Sequence, residues 1–227
     1  MSRRTLVLAT ALVSVFAFGA GAQVQTKESQ AAMTPSKTLE LLREGNARFV
    51  AGKRQPRDFH AEAAATAGGQ YPYAAVVSCM DSRAPVEILL DQGLGDVFSI
   101  RIAGNVVDTD VLGSLEYAAK VIGVKSILVL GHSDCGAVKG AIDDVKLGNL
   151  TALLEKIQPA VAGGGMPRGT SKDKAFVGRV AEQNVRLGMK EIREKSPLLK
   201  EMIDSGKVSL AGGMYDIATG RVAFYAD

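Results

Sequence analysis

The chain of 227 residues has only two cysteines and two histidines, and three of these four side chains follow apolar runs. Cys79 stands in "SCMDSRAP" after "YAAVVS", and His132 and Cys135 stand in "GHSDCGAV" after "SILVLG". Two thiolates and an imidazole meeting at one point make a ligand set suited to zinc. Three protein ligands leave one position for water or substrate, which marks a catalytic rather than a structural site. A zinc ion there would lower the pKa of its water from about 15.7 to near 7, making hydroxide available at neutral pH. Asp81 and Arg83 share the loop of Cys79, where the arginine fork could hold the carboxylate ionised and aimed at that hydroxide. Cys135 falls at an expected helix start, where amide dipoles favour a thiolate. A disulfide between the two cysteines is the competing reading for an exported protein, though it leaves the residues around each cysteine without a role.

For these side chains to meet, the strands that end at Ser78 and Gly131 must be neighbours, because ligands of a doubly wound sheet collect where strand order reverses. Four continuous apolar runs read as strands: 73–78, 97–103, 126–131 and 208–216. Helical stretches at 86–90, 110–121, 137–144 and 173–194 separate them. The pattern predicts an α/β fold: a mostly parallel four-stranded sheet with helices on both faces. "GRVAFY" after "ATG" reads as an added antiparallel edge strand. Helices over 34–49, begun by Thr34-Pro35, and over 59–67 precede every strand, so they can pack on the domain or wrap a partner subunit. His60 reads as an ordinary helix-surface residue. "GLG" at 93–95 lacks the third glycine of a dinucleotide fingerprint and reads as a turn. The segment 163–173 reads as a flexible loop.

Residues 1–22 read as a signal peptide: Arg3-Arg4, an apolar run from Leu6 to Phe18, then "AGA" at 20–22. "SRRTLVL" partly matches a twin-arginine signal, so a periplasmic or secreted location is expected. A flexible tether over 23–33 and one catalytic domain over 34–227 complete the expected organisation. The net charge of +3 includes the two leader arginines, so the remainder is nearly neutral and gives no reason to expect a nucleic-acid partner.

"CMDSR" followed by "HSDC" resembles the β-class carbonic anhydrases, which carry Cys-x-Asp-x-Arg and then His-x-x-Cys. "GNARF" around Asn46, "GQYP" at Gln70, "DQGLGDVFSIRIAGN" from Asp91, "VLGSLEYA" from Val111 and "GGMYDIATGRV" from Gly212 are similar to that family too, in the same order. The resemblance implies zinc on Cys79, His132 and Cys135, with Asp81 and Arg83 orienting the hydroxide. It also implies a substrate-binding amide from Gln70 and a cleft lined at Val106 and Gly131. The implied reaction is reversible hydration of CO2 to bicarbonate and a proton, with no organic cofactor, in a homodimer or dimer of dimers whose cleft lies between subunits. Some family members let the counterpart of Asp81 close the site as a fourth ligand. The regulatory subgroup carries a tryptophan that this chain lacks, which favours the openly active subgroup. Carbonyl sulfide or carbon disulfide hydrolysis on the same scaffold is one alternative function, and a disulfide-stapled anion-binding protein is another.

Overall fold

Five strands form one sheet: β1 (Ala74–Ser78), β2 (Val97–Arg101), β3 (Ser126–His132), β4 (Ser209–Tyr215) and β5 (Val222–Ala226). The computed structural model describes residues 24–163 and 169–226. The expected signal peptide lies outside the described residues, as do 164–168 of the expected flexible loop. Spatial order is β2-β1-β3-β4-β5. β1 pairs in parallel with β2 and β3, and β3 with β4, while β5 alone runs antiparallel. Strand order reverses at β1, so the carboxyl ends of β1 and β3 form the crevice where an α/β sheet holds its ligand. Every residue of β1 and β3 is buried, as expected of central strands covered on both faces.

Ten helices, among the described residues, cover the sheet. Before β1 come α1 (Lys27–Ala32), α2 (Pro35–Val50) and α3 (Phe59–Thr66). Between strands come α4 (Val86–Leu89), α5 (Thr109–Glu116), α6 (Gly136–Ile142), α7 (Gly148–Glu155), α8 (Gln158–Ala162), α9 (Lys174–Lys195) and α10 (Pro197–Asp204). Leu42 of α2 and Val86 and Leu89 of α4 pack on the face that carries Val76, Leu128 and Leu130. Leu115 of α5, Val185, Met189 and Ile192 of α9 and Leu199 of α10 cover the opposite face, against Val77, Ile127 and Val129. Alternate strand residues feed the two layers, as the period of two demands.

The segment expected as a tether holds α1 instead. Thr26 and Ser29 cap it reciprocally, and buried Gln30 donates from Nε2 to the Pro72 carbonyl at 2.6 Å. Docking supplies partners that a polar sequence does not advertise. The helix expected over 110–121 changes to a wider π-type turn over Tyr117–Ile122 and ends at Gly123, whose φ of 95° suits glycine. No helix among the described residues is long and apolar enough to cross a membrane.

Candidate metal centre

β1 ends at Ser78, paired with Leu130 of β3, so Cys79 leaves the sheet beside the last residues of that neighbour. His132 is the final residue of β3, and Cys135 is the N-cap of α6. Their ligand atoms all lie within 4.8 Å of one another, and all three residues are buried. The two Sγ atoms are 3.9 Å apart and unbonded. A disulfide needs about 2.05 Å. Tetrahedral zinc with Zn–S bonds near 2.3 Å would instead set two sulfurs about 3.8 Å apart.

The imidazole is oriented for ligation. Nδ1 lies 2.9 Å from the Ser133 carbonyl, which fixes the proton on that nitrogen and leaves the Nε2 lone pair facing the cysteines. Nε2 is buried and has no hydrogen-bond partner. An orphaned buried acceptor is costly, and a cation is the natural occupant of the point it faces. The thiols show the same need. The hydrogen bond with Cys135 pulls the Cys79 thiol well below its ordinary pKa, against burial, and contact with Cys79 pushes Cys135 the other way. Two bare thiolates at this separation repel, whereas a divalent cation stabilises both as anions. The residues present therefore fit zinc.

Beside this group Asp81 is clamped by Arg83. Nε and Nη2 of Arg83 donate to the two carboxylate oxygens at 3.0 and 2.8 Å, and the Arg83 backbone N–H adds a bond of 2.9 Å. Those bonds hold Asp81 well below the usual carboxylate range. Its Oδ2 stands 3.9 Å from His132 Nε2, next to the ligands but committed to Arg83. Two supports of this loop are absent from the sequence reading. Arg101, at the end of β2, donates to the Cys79 carbonyl at 3.2 Å and also to the Asp81 carbonyl. The Gly104 N–H donates to Cys79 Sγ at 3.3 Å. Arg101 is the one charged residue of the apolar run "VFSIRIA", a signal that could have marked the first; nothing in the sequence marks the second.

The remaining expected residues scatter. Val106 is buried in the cluster that contains Cys79 and Cys135, so it can wall the site. At Gly131 an added Cβ would meet Val185 Cγ2 at 2.6 Å and the Met214 sulfur at 2.8 Å, so this glycine makes room for packing between β3 and α9. Gln70 is exposed and lies before β1, at the end of that strand opposite Cys79. A single chain does not bring it to the metal corner.

Comparison with known proteins agrees with this geometry. Residues 74–222 match the family model described as carbonic anhydrase. Carbonic anhydrase 2 of Mycobacterium tuberculosis is 39% identical over 193 residues, covering 82% of this chain and 91% of that protein. The carbonic anhydrase of Mycolicibacterium smegmatis is 38% identical over 197 residues, covering 83% and 92%. Among solved structures, a tetrameric β-carbonic anhydrase of Sordaria macrospora superposes with a TM-score of 0.63 at 30% identity, covering 71% of this chain and 84% of that one. The β-carbonic anhydrase CafA of Aspergillus fumigatus gives 0.66 at 27% identity, covering 84% and 89%. Ligand spacing, strand order and the extent of these matches place the chain in the β-class carbonic anhydrase family.

Proposed function

We propose that this protein is an exported, zinc-dependent carbonate dehydratase that interconverts CO2 and bicarbonate. One observation carries the reading: two thiols and an unpartnered imidazole nitrogen converge beside a carboxylate locked by arginine. Cys79, His132 and Cys135 would hold zinc, which supplies Lewis acidity that brings the pKa of a bound water close to neutrality. Asp81, kept ionised by Arg83, accepts a hydrogen bond from the nucleophile and turns its lone pair toward the substrate carbon. Arg83 also keeps Asp81 from moving onto the metal, so the arrangement corresponds to an open site. Val106 gives a small linear substrate an apolar wall that displaces water.

Gln70 supplies its amide only if a second copy of the chain brings it, so the proposal includes at least a dimer. The sheet edge at β2 offers a surface for one: Phe98 and Ile100 are half-buried, and Tyr117 and Val121 nearby are 48% and 68% exposed. Export rests on the basic and apolar leader with its small-residue end, and fractionation of the source cells for the processed chain tests it. The chemistry is tested on protein purified without added metal. About one zinc per chain, together with CO2 hydration that disappears on chelation, is expected. Full activity in a metal-free preparation would overturn the reading.

A further inference from the structure

We propose that Asn184 of α9 is a positioning residue for the metal centre, acting through Gly104 on the sulfur of Cys79. The inference rests on the zinc reading above and adds to it a support that lies 105 residues from Cys79 in sequence (184 − 79). Asn184 is 3% exposed and donates from Nδ2 to the Gly104 carbonyl at 2.6 Å. Gly104 belongs to the short 3-10 turn Ala103–Asn105, and its own N–H donates to Cys79 Sγ at 3.3 Å. Just before the turn, the Ile102 N–H bonds the Ser78 carbonyl at 3.0 Å, so the segment is fastened to the end of β1 immediately ahead of Cys79.

The residue at the centre of the turn has to be a glycine, and its conformation is set by its neighbours. Gly104 has φ of 67°, in the left-handed region, and an added Cβ would meet Ile157 Cδ1 at 2.6 Å and the Ala137 Cβ at 3.2 Å. A glycine is required there, and a glycine does not hold its own dihedrals. The amide of Asn184 restrains the turn at the Gly104 carbonyl and the Ile102–Ser78 bond restrains it on the N-terminal side, so the Gly104 N–H between them is held toward Cys79 Sγ. Along α9 the buried positions Phe176, Val177, Val180, Ala181, Val185 and Met189 are apolar, and Asn184 interrupts them. A polar group in that stripe carries a desolvation cost that its bond to Gly104 offsets. A fixed N–H donor lowers the energy of the sulfur lone pairs and holds the sulfur in its ligating direction.

The test uses the full-length protein loaded with zinc, cobalt(II) or the spin-half isotope of cadmium, and compares wild type with Asn184→Ala, Asn184→Asp and Val180→Ala. Asn184→Ala and Asn184→Asp remove the donor, one with and one without loss of volume. Val180→Ala opens a cavity in the same buried cluster and leaves the Asn184 donor in place. Loss of the donor is expected to weaken zinc retention against a chelator by about tenfold or more. It is also expected to move the sulfur-to-cobalt charge-transfer band to longer wavelength, because the sulfur electrons become easier to remove. Val180→Ala should leave the band in place. In the wild type a scalar coupling should appear between cadmium and the Gly104 amide proton, a measurement that needs no variant to fold. Absence of that coupling, an unshifted band in the Asn184 variants, or an equal shift in Val180→Ala would overturn the proposal. A wild type that takes up none of these metals would instead overturn the zinc reading itself.

Discussion

Asp81 sits between the Arg83 guanidinium and the group that would hold the metal. Arg83 takes both oxygens with its guanidinium and one again with its backbone N–H, while the ligand cluster lies just beyond Oδ2. The carboxylate can orient a nucleophile only while Arg83 holds it, so the two residues should act as one unit. Asp81→Asn keeps the shape and removes the charge, and CO2 hydration measured by stopped flow is expected to fall about a hundredfold in kcat/KM with zinc content unchanged. Arg83→Ala should fall similarly, because the freed carboxylate can then reach the metal. The double variant should be no worse than either single one, as residues acting as a unit are not additive. Multiplicative losses would show that the pair does not work as the geometry implies. Chelation supplies a separate check on the proposed ligands: both cysteines should become titratable as free thiols, and the thermal midpoint should drop, as expected of a metal that binds only the folded chain. If the thiols were already unreactive in denatured, unreduced protein, a disulfide would have to replace the ligand assignment.

The elements that hold the site are pinned by side chains whose sequence neighbours do not reveal their partners. Asn46 of α2 shows this best: its Nδ2 donates to the Leu89 and Gly220 carbonyls at 3.1 and 2.9 Å, and its Oδ1 accepts from the Val222 N–H at 2.8 Å. It ties α2 to the end of α4 and to the turn between β4 and β5. Asn46→Ala would leave three backbone groups without partners, and a loss of about 3 kcal/mol is expected from urea unfolding with an unchanged slope. A loss below about 1 kcal/mol would mean that water replaces the bonds. The central strands were legible because β1 and β3 are continuous apolar runs, and Cys79, His132 and Cys135 were legible because they follow those runs directly. α7, α8 and α10 were not. They are eight residues or fewer, and little of any of them reaches the deepest core, so their apolar spacing is too brief to stand out. Arg101, Gly104 and Asn184 escaped for another reason: their roles are hydrogen bonds between distant segments, and only the fold sets those distances. Arg101 and Asn184 each left one trace, a polar residue inside an apolar strand or helical stripe.

At the scale of the whole molecule, strand length decides how the site can be completed. β1 rises by about 13 Å from Ala74 to Ser78, and Gln70 and Cys79 lie beyond its opposite ends. No side-chain rotation within one chain spans that gap. Either Gln70 has no part in substrate binding or it serves the metal corner of another copy. Mixing two inactive variants separates these cases. In a heterodimer of Gln70→Ala and Asp81→Ala chains, the metal corner of the Gln70→Ala chain keeps its Asp81 and receives Gln70 from its partner. One of the two sites is then intact, while the other lacks both groups. Unfolding and refolding the variants together in zinc should therefore restore CO2 hydration well above that of either variant refolded alone. If the amide acted within its own chain, each site of the heterodimer would still lack one group and mixing would restore nothing. If Gln70 had no role, the Gln70→Ala protein would be active before any mixing.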